Sequence, residues 1–204
     1  MGTYYSEKDA LLAFYTYWAK LHPGLEDFHK RWLTSHAKIV AMRRGQIVSA
    51  VPHGQQTLYI VLAGILAKER YCTERREKLI MTVALPHMGF FTTMHFFSKN
   101  PALGDIVCLR SGFALKIPYK AILPHRDQEK AIETLVDLII NKKKSQLDHL
   151  RVLSTLPNIT SQYFYFADHL SPLYTTLSQS EQARLLLISE RSIQRAKRLY
   201  VRRR

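Results

Sequence analysis

Between Ile39 and Ile117 the apolar residues fall into short β-like runs, and on both sides of that window the spacing turns helical. The runs are Ile39–Met42, Ile47–Val51, Leu58–Leu66, Leu79–Leu85, Ile106–Leu109 and Phe113–Ile117. Turn signals close them at Arg44-Gly45, Pro52-His53-Gly54, Pro86, Asn100-Pro101 and Ser111-Gly112. Short strands at this spacing predict an antiparallel barrel or jelly roll. Ahead of them, Ser6 and Asp9 can cap a helix whose broad apolar face runs from Leu11 to Trp18. Pro23-Gly24 breaks it, and Leu25, Phe28, Trp32 and Leu33 resume helical spacing.

After Pro118 and Pro124 a long helix is expected from about Asp127 to Leu153, interrupted at Asn141-Lys142-Lys143-Lys144. Its apolar line is Ile132, Leu135, Val136, Ile139, Leu147, Leu150 and Leu153. A helix with one such seam pairs with a copy of itself or packs on its own barrel, and the homodimer is the expectation taken forward. Pro157 reads as a hinge, followed by helices around Ser161–Leu170 and from Ser178 onward. The fold class is therefore α+β. The expected division is a β-rich domain with N-terminal helices over 1–125, a long helix and hinge over 126–156, and a helical domain over 157–204.

Among 204 residues, 47% are hydrophobic and 23% charged, which supports a packed core. Thirty Lys+Arg against sixteen Asp+Glu give a formal charge of +14 and predict affinity for polyanions. The excess is uneven: the last 27 residues hold eight basic and two acidic side chains, whereas residues 126–177 balance at six each. The longest clean apolar run, Leu58–Ala67, is about half a membrane span. No charged-then-apolar leader follows Met1, so a cytoplasmic protein without membrane association is expected. Met1-Gly2-Thr3-Tyr4-Tyr5-Ser6 fits a loose myristoylation pattern that arises often by chance.

The information-rich segment is Leu177–Arg198, which reads as a helix-turn-helix. Ser178 and Glu181 form a capping box, Ala183 is small where two helices must cross, and Leu186 and Ile188 bracket a tight turn. Ser189 then caps a second helix with Ile193 facing inward. That leaves Glu190, Arg191, Ser192, Gln194, Arg195 and Arg198 facing outward. These types suit major-groove work, because Arg forks onto guanine, Gln pairs with adenine, and Ser and backbone amides hold phosphate. The candidate DNA-binding residues are accordingly Gln179, Ser189, Glu190, Arg191, Ser192, Gln194, Arg195 and Arg198. Arg191, Gln194 and Arg195 are assigned to base edges; Gln179, Ser189, Ser192, Arg198 and the terminal arginines are assigned to phosphates.

A β-rich domain, a long helix and a C-terminal helix-turn-helix together resemble the Crp/Fnr family of bacterial transcription regulators. Arg44-Gly45-Gln46-Ile47 is similar to the family's early hairpin, and Leu58-Tyr59-Ile60-Val61-Leu62-Ala63-Gly64-Ile65 to its signature strand-turn. Phe113–Pro118 resembles the strand before the helical hinge. The resemblance covers roughly residues 25–204 and is greatest to short, divergent members. It implies a cyclic-nucleotide-binding-like sensor domain, a dimerisation helix and a winged-helix reader of double-stranded DNA.

Three departures qualify it. The family's Gly-Glu run and Arg-Ser/Thr-Ala cassette, which hold a cyclic phosphate, are replaced by Gly89-Phe90-Phe91-Thr92-Thr93-Met94 and Pro101-Ala102-Leu103-Gly104-Asp105-Ile106. This argues against cyclic AMP and leaves any small-molecule effector unknown. Two distant cysteines, Cys72 and Cys108, cannot ligate an iron–sulfur cluster. Leu187 stands at a turn position usually held by Gly.

Other constellations read as structural. His22, His29 and His36, seven apart, are expected at the surface or partly packed rather than on one metal. His87, Met88, Met94 and His95 are expected to pack with Phe90, Phe91, Phe96 and Phe97 rather than ligate haem. Cys108 is expected as a buried, inert thiol. No phosphate-cradling loop, zinc-protease helix or nucleophile elbow is present, so neither an enzyme nor a cofactor or metal requirement is expected. The competing reading is a degenerate sensor or interaction module whose basic tail binds nucleic acid without sequence preference, or an acidic protein.

Overall fold

A computed structural model describes residues 6–51, 56–125 and 128–203. The possible lipidation signal at the N-terminus, the Pro52-His53-Gly54 turn, Asp127 and Arg204 lie outside the described residues. The order is α1 (Glu7–Leu21), α2 (Asp27–His36), β1 (Lys38–Met42), β2 (Ile47–Ser49), β3 (Thr57–Cys72), β4 (Glu77–Ala84), β5 (Gly89–Phe91) and β6 (Asp105–Pro118). Then follow α3 (Tyr119–Ile122), α4 (Lys130–Thr155), α5 (Ile159–His169), α6 (Ser171–Thr176), α7 (Gln179–Leu186) and α8 (Glu190–Arg203). This is the expected α+β architecture. Ser6 does cap α1, its hydroxyl accepting the Asp9 amide while Asp9 accepts the Ser6 amide.

The described strands form one sheet along the path β1-β6-β3-β4, with β2 on β6 and β5 on β3. β1 runs antiparallel to β6 from Lys38↔Lys116 to Met42↔Gly112. The sequence reading splits β6 at Ser111-Gly112, whereas the strand continues through that dipeptide. The glycine serves close approach, not reversal: a Cβ on Gly112 would lie 2.1 Å from the Ala63 carbonyl oxygen. Opposite it, Gly64 has φ +88° and a Cβ there would meet the Arg110 oxygen at 2.5 Å.

The chain divides into two compact units, one comprising residues 1–68 and 83–143, the other residues 69–82 and 144–204. In the first, Phe14, Trp18, Trp32 and Leu33 of the N-terminal helices pack with Leu58, Ile60 and Leu62 of β3 and with Ile132, Leu135, Val136 and Ile139 of α4. A second cluster, including Met42, Tyr59, Val61, Phe90 and Cys108, fills the other face of the sheet. Cys108 is buried, as expected.

Four further expectations change. Helix α4 runs unbroken through Asn141–Lys144, because Lys is a good helix former and two of these lysines fold inward. Most of its expected dimer seam is covered within the chain: Ile132, Leu135, Val136, Ile139 and Leu153 are buried, and Leu147 stays 46% exposed. His29 is buried rather than superficial; its Nδ1 accepts the Glu26 amide at 3.0 Å and its Nε2 lies 3.6 Å from the Glu129 carboxylate. Phe97 and Met94 are exposed, while Met88, Phe90 and Phe96 are buried. Elements β5, α3 and α6 are additional, each too short to leave a periodic signal. No helix among the described residues is long and apolar enough to cross a membrane.

Lys143 of α4 donates to the Val83 carbonyl at 3.0 Å and lies 3.9 Å from the centre of the Phe90 ring. Lys68 of β3 donates to the Phe91 carbonyl and approaches the same ring at 5.4 Å. Burial pushes Lys143 well below its ordinary value, reinforced by the Lys68 charge, and pushes Lys68 down to about 8. Between pH 8 and about 10.4, the ordinary lysine value, the unfolded chain holds a proton at Lys68 that the native chain lacks. Burial of Lys68 therefore costs most below pH 8, and its penalty fades as pH rises. Lys68→Met should be more stable than the parent at pH 7.5, with the difference shrinking by about 1–2 kcal/mol by pH 9.5 in urea unfolding. A difference that stays constant with pH would contradict a depressed Lys68.

Candidate nucleic-acid interface

The second unit carries the segment singled out in the sequence. Ser178 caps α7 by accepting the Glu181 amide, and Glu181 accepts the Ser178 amide at 2.8 Å. Gln182, buried, ties α7 to the preceding turn by donating to the carbonyls of Tyr174 and Leu177 at 2.9 and 3.0 Å. Ala183 and Leu185 are buried, as close packing of α7 against its neighbours requires. Helix α7 then ends on Leu187 in the left-handed region, at φ 60° and ψ 32°. Glycine is the ordinary residue for that backbone, so this turn is strained by about 1–2 kcal/mol. A neighbouring hairpin holds the turn: Arg75 donates to the Leu187 carbonyl at 2.9 Å. Arg184 likewise pairs with the buried Glu69 at 2.8 Å.

Ser189 accepts the Ser192 amide at 3.1 Å and so caps α8, with its hydroxyl 2.9 Å from that of Ser192. Ile193, Ala196 and Tyr200 are buried on one face of the helix. Tyr200 is fixed by a 2.6 Å donation to Asp168 and by edge contacts with Tyr163, Phe164 and Tyr174. Burial among these rings pushes the Tyr163 phenol upward. The opposite face carries six basic residues against Glu190 alone. Arg191, Gln194, Arg195, Lys197, Arg198 and Arg202 are all exposed there. Arg191, Arg195, Arg198 and Arg202 repeat at three- and four-residue steps, which aligns them along one side of the helix. None of these four arginines pairs with a carboxylate among the described residues.

The eight sequence-assigned positions are not equivalent. Gln179, Gln194 and Arg198 come together with Lys197, Val201 and Arg202 around one concavity of about 620 Å³. Glu190, Arg191 and Arg195 project from the first half of α8 outside that hollow and are exposed. Ser189 and Ser192 are already engaged in the helix cap. Lys197 was not among the assigned residues, although its place between Arg195 and Arg198 on a helix with inward Ile193 and Ala196 signals exposure. Arg203 is less free than its neighbours, lying 3.9 Å from the Asp168 carboxylate and over the Phe164 ring. The wing implied by the family resemblance has no strand to form it among described residues 144–203.

Because Leu187 is 47% exposed, removing its side chain sacrifices little packing. Leu187→Gly is expected to raise stability by about 0.5–1.5 kcal/mol in urea unfolding, through relief of the left-handed strain. Destabilisation of that size would mean the side chain, not the backbone, dominates this turn.

No protein-family model matches the sequence, and no curated protein matches it. Solved structures do match. FixK2 from Bradyrhizobium japonicum superposes with a TM-score of 0.64 at 11% identity, covering 82% of this chain and 85% of that one. A putative Crp/Fnr-family transcriptional regulator from Eubacterium rectale gives 0.65 at 11% identity, covering 91% and 88%. A cyclic-nucleotide-binding-domain protein from Listeria monocytogenes gives 0.69 at 13% identity, covering 94% and 91%. An antiparallel sheet, a long helix and a C-terminal helix-turn-helix, matched over most of their length to these structures, give this chain the Crp/Fnr fold.

Proposed function

We propose that this chain is a sequence-specific, DNA-binding transcription regulator of the Crp/Fnr type that acts as a cytoplasmic homodimer and is not an enzyme. The observation that carries the reading is α8, whose apolar face is locked in the core while its exposed face holds Gln194 and four arginines, Arg191, Arg195, Arg198 and Arg202, that have no carboxylate partner among the described residues. In this reading α8 enters the major groove, with Arg191, Gln194 and Arg195 on base edges. Glu190, at the first turn of α8, can accept from a cytosine amino group. Gln179, Arg198, Lys197 and Arg202 hold phosphates, and the positive end of the α8 dipole adds to the attraction for them. Ser189 and Ser192 contribute by fixing that terminus, with their hydroxyls exchanged onto phosphate only at the expense of the cap.

Residues 1–125 then act as a sensor-type domain, 126–156 as the dimer helix and hinge, and 157–204 as the DNA reader. For dimerisation, Ile140, Leu147 and Val152 of α4, 38%, 46% and 42% exposed, are apolar positions left for a partner helix, with Ile140 and Leu147 seven apart. The sensor lacks the cyclic-phosphate cassette. Asp105, where that pattern would want a neutral or basic group, accepts the Val51 amide at 2.9 Å. Thr93, in the same stretch, is paired with the Tyr119 hydroxyl at 2.8 Å. No cofactor is required by this reading, and cyclic AMP is not the expected effector.

Selection from a random duplex library should return a two-fold symmetric site with half-sites about 34 Å apart. On that site Arg195→Ala should lose about 1–3 kcal/mol and relax one base position per half-site. Lys197→Ala should weaken selected and scrambled duplexes alike and reduce the salt slope by about one. If Arg195→Ala behaves as Lys197→Ala does, the tail reads charge alone and the non-specific module is the correct description.

A further inference from the structure

A cleft of about 760 Å³ in the second unit lies beside the turn that precedes α8 rather than on its basic face. Its walls come from the β3–β4 hairpin, the end of α4, the start of α5, and the turn itself. Those walls are mainly aliphatic, including Leu79, Leu150, Leu153 and Leu186. Four apolar side chains around it are strongly exposed: Tyr71 at 58%, Leu187 at 47%, Met81 at 42% and Ile159 at 40%. Exposed apolar groups scattered over a surface are ordinary; several converging on one concavity mark a binding site. The volume falls in the range of small-molecule sites, which are apolar with a few placed polar groups.

The polar groups decide what fits. Glu74 is engaged, accepting from the Cys72 thiol at 3.0 Å. Arg184 is neutralised by Glu69. Arg75 is spent on the Leu187 carbonyl and lies 3.9 Å from Glu77. Arg70 lines the cleft, is exposed, and forms no close ion pair among the described residues, although its charge reaches Glu74 on the same rim and, behind the Cys72 hydrogen bond, helps hold that carboxyl below its ordinary value. An aliphatic hollow with a guanidinium at its rim is complementary to an aliphatic chain ending in an anion. The scarcity of rings in the wall, with Tyr71 alone among the lining residues, favours a flexible chain over a planar aromatic ligand.

We propose that this cleft binds an amphipathic acyl anion, its chain against Leu79, Leu150, Ile159 and Leu187 and its carboxylate on Arg70. The strained turn at Leu187 forms one wall, so occupancy reaches the loop between α7 and α8. That regulatory consequence rests on the DNA-reading proposal above; the binding site itself does not.

The test uses the full chain without DNA and 11-(dansylamino)undecanoic acid as a fluorescent probe. The probe should bind with enhanced emission and be displaced by laurate. Decanoate, two methylenes shorter, should displace about tenfold less well. Dodecyltrimethylammonium, with the opposite head charge, should displace poorly. Ser154→Trp, an exposed lining position whose new ring occupies the cleft, should lose at least about tenfold in probe affinity with its unfolding midpoint unchanged. Arg70→Gln should keep affinity for dodecanol but lose the preference for laurate. No saturable probe binding, equal displacement by the cationic detergent, or undiminished binding by Ser154→Trp would each overturn the proposal. A change of oligomeric state in Ser154→Trp, read by sedimentation, would do so too, by assigning the cleft to a second copy of the chain. Because the titration contains no DNA, its failure leaves the reading of α8 standing, and failure of DNA selection leaves the titration interpretable.

Discussion

The stripe Ile193, Ala196 and Tyr200 governs what the C-terminal helix can do. A 14-residue segment with six basic side chains repels itself and would fray as an isolated helix. Burying three residues at helical spacing, with the Tyr200 hydroxyl fixed on Asp168, orders it from one side. Every basic group is then displaced to the other side by geometry alone. The same anchor decides the exceptions: Arg203 stands close enough to Asp168 and Phe164 to be partly held, while Arg191, Arg195, Arg198 and Arg202 are not.

Packing in the first unit follows a comparable logic of close approach. Gly64 and Gly112 let the backbones of β3 and β6 come nearer than any side chain would permit. The N-terminal helices then cover the face of the sheet that also receives α4. One consequence is that α4 spends most of its apolar residues inside its own chain. Another is that Lys68 and Lys143, with no carboxylate partner among the described residues, rest on backbone carbonyls and the Phe90 ring. With no opposite charge beside either group among the described residues, burial wins and both values fall.

Much of this was legible in the sequence because caps and periodicities are local. The Ser6–Asp9 and Ser178–Glu181 boxes, the broad faces of α1 and α8, and the left-handed residue at Leu187 each follow from neighbours within one or two turns. Ser111-Gly112 misled because a glycine needed for cross-strand approach and a glycine needed for a turn look alike until the partner strand is known. Asn141–Lys144 misled because a lysine's burial depends on a carbonyl and a ring more than 50 residues away. Of the interface, the outward types on α8 could be read directly, and Lys197 follows from the same periodicity. The engagement of Ser189 with Ser192, the hold of Arg75 on Leu187, and the cleft beside that turn join residues far apart in the chain, and no spacing announces them.

The central claim is that α8 reads sequence rather than charge. Its most direct measurement is the affinity ratio between a selected duplex and its scrambled counterpart, titrated at about 150 mM salt, where screening limits phosphate contacts. A ratio of about 10³ or more, with two-fold symmetry in the preferred site, is the result the account predicts. Equal binding of the two duplexes, each weakening in parallel with added salt, would contradict it.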